Sequence, residues 1–286
     1  MAFADPISNT SRLTAAARAR ETERPERLFE DPWARALAGE EGFAFLERLM
    51  AAGPPPSANG PAENSYIAIR TRFFDDRLMS VVSGEARPGI HQVVIVAAGL
   101  DTRAYRLAWP AGTRLFELDR PDVLEAKRAV MEGASAAPRC DRRAIAVDLA
   151  AAWAPALASG GFDATQPSVW LVEGLTVYLP EAGVRGVLAQ AASLATPGSR
   201  LFADITGRGM LESPWTRGVL DAMKRENAPW IFGTDEPEAL CAELGWRATV
   251  TRPGDPDATF GRWPYPAFPR GAPGVPSNFF VMATRI

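Results

Sequence analysis

Gly99, Asp119, Asp148 and Glu173 are the residues whose types and spacing suit one chemistry in this sequence. Gly99 follows the apolar run 93–98, within Ala97-Ala98-Gly99-Leu100-Asp101-Thr102-Arg103. A glycine there lets the backbone approach a ligand at the carboxyl end of a first parallel strand, and a plain tight turn would use it equally well. The full Gly-x-Gly-x-x-Gly pattern is absent, which argues against a bound pyrophosphate. Asp119 closes the run Phe116-Glu117-Leu118-Asp119 at the separation from Gly99 where a carboxylate holds ribose hydroxyls. It would also suit a cap ahead of Pro121 and the next helix. Asp148-Leu149 ends a third run, the place in such sheets where a group touches an adenine, and Glu173 ends a fourth. Each carboxylate alone suits a solvated strand end. Together they describe a ligand rich in hydroxyl and ammonium groups and free of phosphate.

The rest of the inventory excludes rival chemistry. The chain has 286 residues with 31 Lys+Arg against 34 Asp+Glu, a formal net charge of −3. Only Lys127 and Lys224 are lysine, a skew toward arginine that reads as codon composition. One histidine, His91, and two cysteines, Cys140 and Cys241, are too few and too scattered for a zinc site, and no metal is expected. A Ser-His-Asp device would have to run through His91, which precedes the first strand and so lies at the wrong end of the sheet. A short-chain oxidoreductase needs Tyr with Lys four residues later, whereas Tyr66, Tyr105, Tyr178 and Tyr265 are followed there by Arg70, Trp109, Ala182 and Pro269. The charge balance gives no footprint for nucleic acid. No stretch approaches the roughly 18 apolar residues of a membrane span. Residues 1–24 lack the apolar core of a secretory signal, so cytoplasm is the expected location.

The elements that would position these groups change character near residue 90. Before it the pattern is helical. One helix is expected over 11–23 with Ser8, Asn9 and Thr10 available as caps, and a second opens at Asp31-Pro32 with Asp31 as its cap. The second carries Trp33, Leu37, Phe43, Leu46 and Met50, and the proline-rich stretch 53–61 is a loop no helix can cross. A third covers roughly 64–82, with Ile67, Phe74 and Leu78 near one face. After it, short apolar runs at 93–98, 114–118, 144–147, 169–172 and 200–205 alternate with helical stretches near 121–132, 150–158 and 181–195. This alternation predicts an α/β doubly wound sheet. A helix at 235–245 with Thr234 as cap and Gly245 as stop, and strands near 246–251 and 278–284, complete it. Residues 253–276 hold seven prolines and read as irregular loop. The expected organisation is a helical cap over 1–85, a core over 86–286 and a lid inserted at 206–234.

The motifs from Val94 to Leu107 and from Glu117 to Pro121 resemble the leucine carboxyl methyltransferase family, and more closely its bacterial branch of S-adenosylmethionine-dependent methyltransferases. Arg70-Thr71-Arg72-Phe73-Phe74-Asp75, Glu173-Gly174-Leu175-Thr176-Val177-Tyr178-Leu179-Pro180 and the ending from Ser277 to Arg285 fit as well, so the likeness covers roughly 64–205 and the last strand. It implies a class I methyltransferase fold, Rossmann-like and mostly parallel with an antiparallel last strand. It implies that the cofactor is S-adenosyl-L-methionine, with S-adenosyl-L-homocysteine as product. By motif, Arg70 would pair with the cofactor carboxylate, and Ala97, Ala98 and Gly99 would pass close beneath its methionine part. Asp119 would hold the ribose, Asp148 and Leu149 the adenine region, and Glu173 the amino acid portion. Arg72 is the alternative to Arg70. Members of the eukaryotic type carry glycine where Ala97 stands.

The expected reaction is O-methylation, most simply of a carboxylate on a small metabolite, with a carboxylic acid as partner. An acceptor ionised at pH 7 needs no general base, so positioning and water exclusion carry the catalysis. No catalytic residue is assigned; Tyr178 is a candidate for orienting the acceptor. Arg208, Trp215 and Trp230 are candidate acceptor contacts, with Met210 and Met223 in the same segment. A phenol or alcohol acceptor, a protein C-terminal carboxylate, and a non-catalytic ligand-binding protein of the same fold are the alternatives.

Overall fold

The structure, a computed structural model, describes residues 3–53, 65–84, 89–265, 268–272 and 274–286. Seven strands form one sheet: β1 (Gln92–Val96), β2 (Arg114–Asp119), β3 (Asp141–Ala146), β4 (Val169–Val172), β5 (Arg200–Thr206), β6 (Trp246–Thr251) and β7 (Asn278–Arg285). Their order is β3-β2-β1-β4-β5-β7-β6. The first five are parallel, and β7 runs antiparallel to both β5 and β6. This is the class I methyltransferase sheet. The expected strands all form, because strands covered on both faces must be apolar throughout. Every residue of β1 and β4 is buried.

Helices cover both faces. Along β1 the side chains alternate: Val93 and Ile95 join one core, Val94 and Val96 the other. The first core is closed by α1 (Pro6–Thr22), α2 (Ala34–Ala52) and α3 (Ser65–Ser83) through Leu13, Leu37, Phe45, Phe73 and Phe74. The short α4 (Arg103–Arg106) and α5 (Pro121–Gly133) follow β1 and β2. The second core gathers Phe116, Trp153, Trp170 and Trp246 with Leu157 of α6 (Ala154–Ser159) and Val184 and Leu188 of α7 (Glu181–Leu194). After β5 come α8 (Arg208–Glu212), α9 (Arg217–Arg225) and α10 (Pro237–Glu243).

Three helix starts differ from expectation. Helix α1 begins at Pro6, where the Asp5 side chain accepts from the Ile7 amide and proline supplies the preset φ. Ser8, Asn9 and Thr10 are therefore inside the helix, and the Thr10 hydroxyl turns back to donate to the Ile7 carbonyl at 2.6 Å. Helix α2 begins at Ala34, and Asp31 does not cap it with its side chain. That carboxylate is buried and accepts from Arg18 Nε at 2.8 Å and the Thr102 hydroxyl at 2.6 Å. Gly39, at φ 59° within α2, kinks the helix. Helix α10 starts at Pro237, three residues after Thr234, whose hydroxyl accepts from the Glu236 amide at 3.1 Å. The proline-rich stretch 53–61 falls outside the described residues apart from Gly53.

Candidate active site

A cavity of about 1080 Å³ runs along the carboxyl edge of the sheet. Strand register brings the candidate residues there. Val96 pairs with Leu118 and Val172 with Ala203, so Ala97 lies beside Asp119 and Glu173 beside Asp204. The chain leaves β1 through two left-handed residues, Ala97 (φ 55°) and Gly99 (φ 50°). That turn points the Gly99 amide at Asp119 Oδ2, 2.6 Å away, while Oδ1 accepts from the Arg120 amide at 2.7 Å. Burial pushes the Asp119 carboxyl above the usual aspartate range against the pull of these two donors.

Arg70 is the hub of the wall formed by α3. It lies one turn before Phe73 and Phe74 on the same helix face. Those rings pack on Phe280, with Phe73 at 4.9 Å between centroids, and so fix the helix over β7 and β5. Arg70 then reaches past the sheet edge. Its Nε donates to Glu173 Oε1 and its Nη1 to Asp204 Oδ2, both at 2.8 Å. Asp204 also accepts from the Gly174 amide at 2.6 Å and the Tyr66 hydroxyl at 3.0 Å. Gly174 turns at φ 68°, a conformation that favours glycine, and a Cβ there would stand in ordinary contact, 3.5 Å from Arg70 Nη1 and Nη2.

The other Glu173 oxygen meets Arg103 Nη1 at 2.8 Å. Arg103 also pairs with Asp101 and, through Nε at 2.7 Å, with Asp75. Asp75 is shared in turn with Arg106. Burial acts to raise the Asp101 carboxyl, but Arg103, Lys127, Arg106 and Arg18 outweigh it and hold that group at about 2. Helix α1 forms the roof. A Cβ on Gly99 would stand 3.0 Å from that of Ser11, and Arg18 Nη2 donates to the Leu100 carbonyl at 2.7 Å.

Beyond the sheet edge the cavity widens into an apolar chamber. Its walls include Leu49 and Met50 of α2, Met210, Trp215, Val219 and Trp230 of the segment after β5, and Trp263, Phe268 and Val275. Arg252 and Arg270 also line it but are paired with Asp255 and Glu238. Arg208 on α8 is exposed and has no acidic side chain within 4.0 Å among the described residues. Glu212, one turn on, is likewise exposed and unpaired.

All of the candidate cofactor residues, Arg70, Ala97, Ala98, Gly99, Asp119, Asp148, Leu149 and Glu173, line this cavity, as do Tyr178, Arg208, Trp215 and Trp230. Arg72 does not. Residues two apart on a helix project about 200° from each other, and Arg72 bonds Asp76 and the Leu28 carbonyl instead. Met223 is fully buried in the first core, away from the chamber. His91 is exposed ahead of β1. Burial raises the Tyr178 phenol above its ordinary value, so the hydroxyl is protonated at neutral pH and is no base there. No histidine, lysine or cysteine lines the cavity among the described residues, and these form no cluster suited to a metal ion. None of their helices is long and apolar enough to cross a membrane.

Sequence reasoning missed Asp204, Tyr66, Asp75, Arg103 and Arg18. Asp204 had a signal: a carboxylate near the carboxyl end of β5, in register beside Glu173, which follows β4. Within 253–276 the described residues are irregular apart from a 3-10 turn at Pro256–Ala258, yet Trp263, Phe268 and Val275 supply one wall of the chamber.

Residues 11–192 match the family model for leucine carboxyl methyltransferase. A protein of Parafrankia sp. named "Putative S-adenosyl-L-methionine-dependent methyltransferase" is 45% identical over 206 residues, 72% of this chain and 65% of its own length. A protein of the same name from Mycobacteroides abscessus is 36% identical over 98% of this chain and 95% of its own. The crystal structure of a "putative methyltransferase" from Thermobifida fusca superposes with a TM-score of 0.61 at 16% identity, over 96% of this chain and 94% of that one.

Proposed function

We propose, from the premise that this chain belongs to the leucine carboxyl methyltransferase family, that it methylates the carboxylate of a small apolar acid. It is an S-adenosylmethionine-dependent methyltransferase; the residue roles and the acceptor are our reading. The site fits that cofactor. Arg70 lines the cavity, and its planar guanidinium fork is the side chain suited to a carboxylate. The left-handed turn at Ala97–Gly99 brings backbone close to the cavity, with Asp119 beside it for ribose hydroxyls. Asp148 and Leu149 line the same cavity and are assigned to the adenine end, and Glu173 to the ammonium group, by the family resemblance.

When bound, the cofactor supplies a methyl group activated by a sulfonium. A carboxylate acceptor attacks the methyl carbon in line. The new C–O bond forms as the C–S bond breaks, the electron pair goes to sulfur, and no proton moves. The chain has therefore only to orient the two molecules and exclude water. Tyr178 faces Thr10 and Trp230 and can orient the acceptor as a hydroxyl donor.

The observation that carries the carboxylate reading is Arg208, the cation of the cavity wall left without an acidic partner. The test compares carboxylic acids and phenols between pH 6 and 8. A carboxylate acceptor gives turnover that stays level across this range. Turnover of phenols alone, rising with pH, would overturn the reading.

A further inference from the structure

The cavity is larger than one ligand needs. Pockets for single small molecules span roughly 300–1,000 Å³, and this one holds about 1080 Å³. The polar, charged end lies at the strand ends. The remainder is the apolar chamber, lined by Met210, Trp215, Val219 and Trp230, by Trp263 and Phe268, and by Leu49 and Met50 of α2.

The mouth of that chamber carries a second observation. Four large hydrophobic side chains are exposed among the described residues: Trp215, Ile231, Tyr265 and Ile286. Trp215 is 60% exposed and Tyr265 52%, and both line this cavity. Each is backed by another ring, Trp215 by Phe268 at 6.4 Å and Tyr265 by Trp263 at 5.1 Å. Solvent-facing aromatic surface beside a groove marks where apolar ligand is covered. Two aromatic pairs at the rim of one cavity are an arrangement that a compact acid such as acetate would leave unused.

The geometry points to an elongated amphiphilic acid as the acceptor. This inference rests on the carboxylate reading above and extends it. The carboxylate head lies inside near Arg208, the apolar body runs past Leu49, Met50, Val219 and Trp230, and the tail leaves between the Trp215–Phe268 and Trp263–Tyr265 pairs. Trp215 is then a specificity-determining residue.

The test uses straight-chain acids from butanoic to dodecanoic acid, with ester formation followed by mass spectrometry. Binding to the protein alone is followed by tryptophan fluorescence. Each methylene buried in the chamber is expected to raise kcat/KM and affinity about fourfold until the chain reaches the rim. Trp215→Ala is expected to lower the dodecanoate-to-butanoate ratio in kcat/KM about fivefold to tenfold. Trp215→Glu is expected to lower it further. Esters formed with no dependence on chain length, and a ratio unmoved in both variants, would overturn this inference while leaving the carboxylate reading intact. Failure of every acid alongside turnover of phenols would remove the carboxylate reading and this inference with it.

Discussion

Arg70→Ala separates the carboxylate clamp seen in the structure from the cofactor role proposed for the same side chain. Removing one partner of a buried ion pair costs about 3–5 kcal/mol when the other is left bare. Here neither carboxylate is left bare. Glu173 retains Arg103 at 2.8 Å, and Asp204 retains the Gly174 amide and the Tyr66 hydroxyl. The expected loss is therefore about 2–3 kcal/mol, below that range because each charge keeps a donor. In a chain of this size it lowers the thermal midpoint by about 3–5 °C. Cofactor binding loses a charge-assisted bond as well, worth about 1.5–3 kcal/mol, or roughly 12- to 150-fold in Kd. Differential scanning fluorimetry reads the first effect, and calorimetric titration with S-adenosylmethionine and S-adenosylhomocysteine the second. Arg70→Lys restores a charge but not the fork, so it should recover part of the midpoint and little of the affinity. Adding Asp204→Asn to Arg70→Ala should cost less than the two changes summed, because the unmatched charge is removed. A folded Arg70→Ala protein that binds both sulfur compounds within twofold of the parent would refute the cofactor role and leave Arg70 a structural clamp.

Four further outcomes follow from the same geometry. Gly174→Ala forces a side chain into φ 68° against the Arg70 guanidinium; a melting curve should show a loss of about 1–2 kcal/mol, with weaker cofactor binding. Ala97→Gly relieves a left-handed alanine at φ 55°, for a net gain of about 0.5 kcal/mol after the added chain entropy is set against it; a lowered midpoint would show that the methyl group packs productively. Asp101 is held at about 2, below its unfolded value, so its contribution of about 2 kcal/mol is complete above the ordinary carboxylate range and vanishes as pH falls from about 4 to 2. Urea titrations of the parent and Asp101→Asn should converge over that window. Arg208→Ala is expected to raise the acceptor KM about fivefold to tenfold, the modest value of an exposed cation, with S-adenosylhomocysteine affinity unchanged.

The sheet was legible in the sequence because its buried strands are short apolar runs, and the strand-end rule then located Gly99, Asp119, Asp148 and Glu173. What escaped was pairing across long separations. Arg70 meets Glu173 103 residues away and Asp204 134 residues away, and no local pattern encodes those partners. The Asp31-Pro32 pair looked like a cap because capping is local, whereas Asp31 is taken by Arg18 and Thr102 from two other elements. The Arg72 alternative fails on helix geometry alone. The chamber wall at 263–276 lacked any periodic signal, since its role depends on where the irregular backbone lies and not on a repeating face.

The arginine excess takes on a different meaning around Glu173. Arg70 and Arg103 each bridge several carboxylates at once, which a lysine ammonium does less well than a planar fork. The connected cluster holds three guanidiniums, Arg70, Arg103 and Arg106, against four carboxylates, Asp75, Asp101, Glu173 and Asp204. It is one cation short of neutrality. S-adenosylmethionine, with its ammonium and sulfonium against a single carboxylate, carries one positive charge, and the demethylated product carries none. At the proposed cofactor site this wall would attract the donor as a counter-ion, and transfer of the methyl group would itself cancel that attraction.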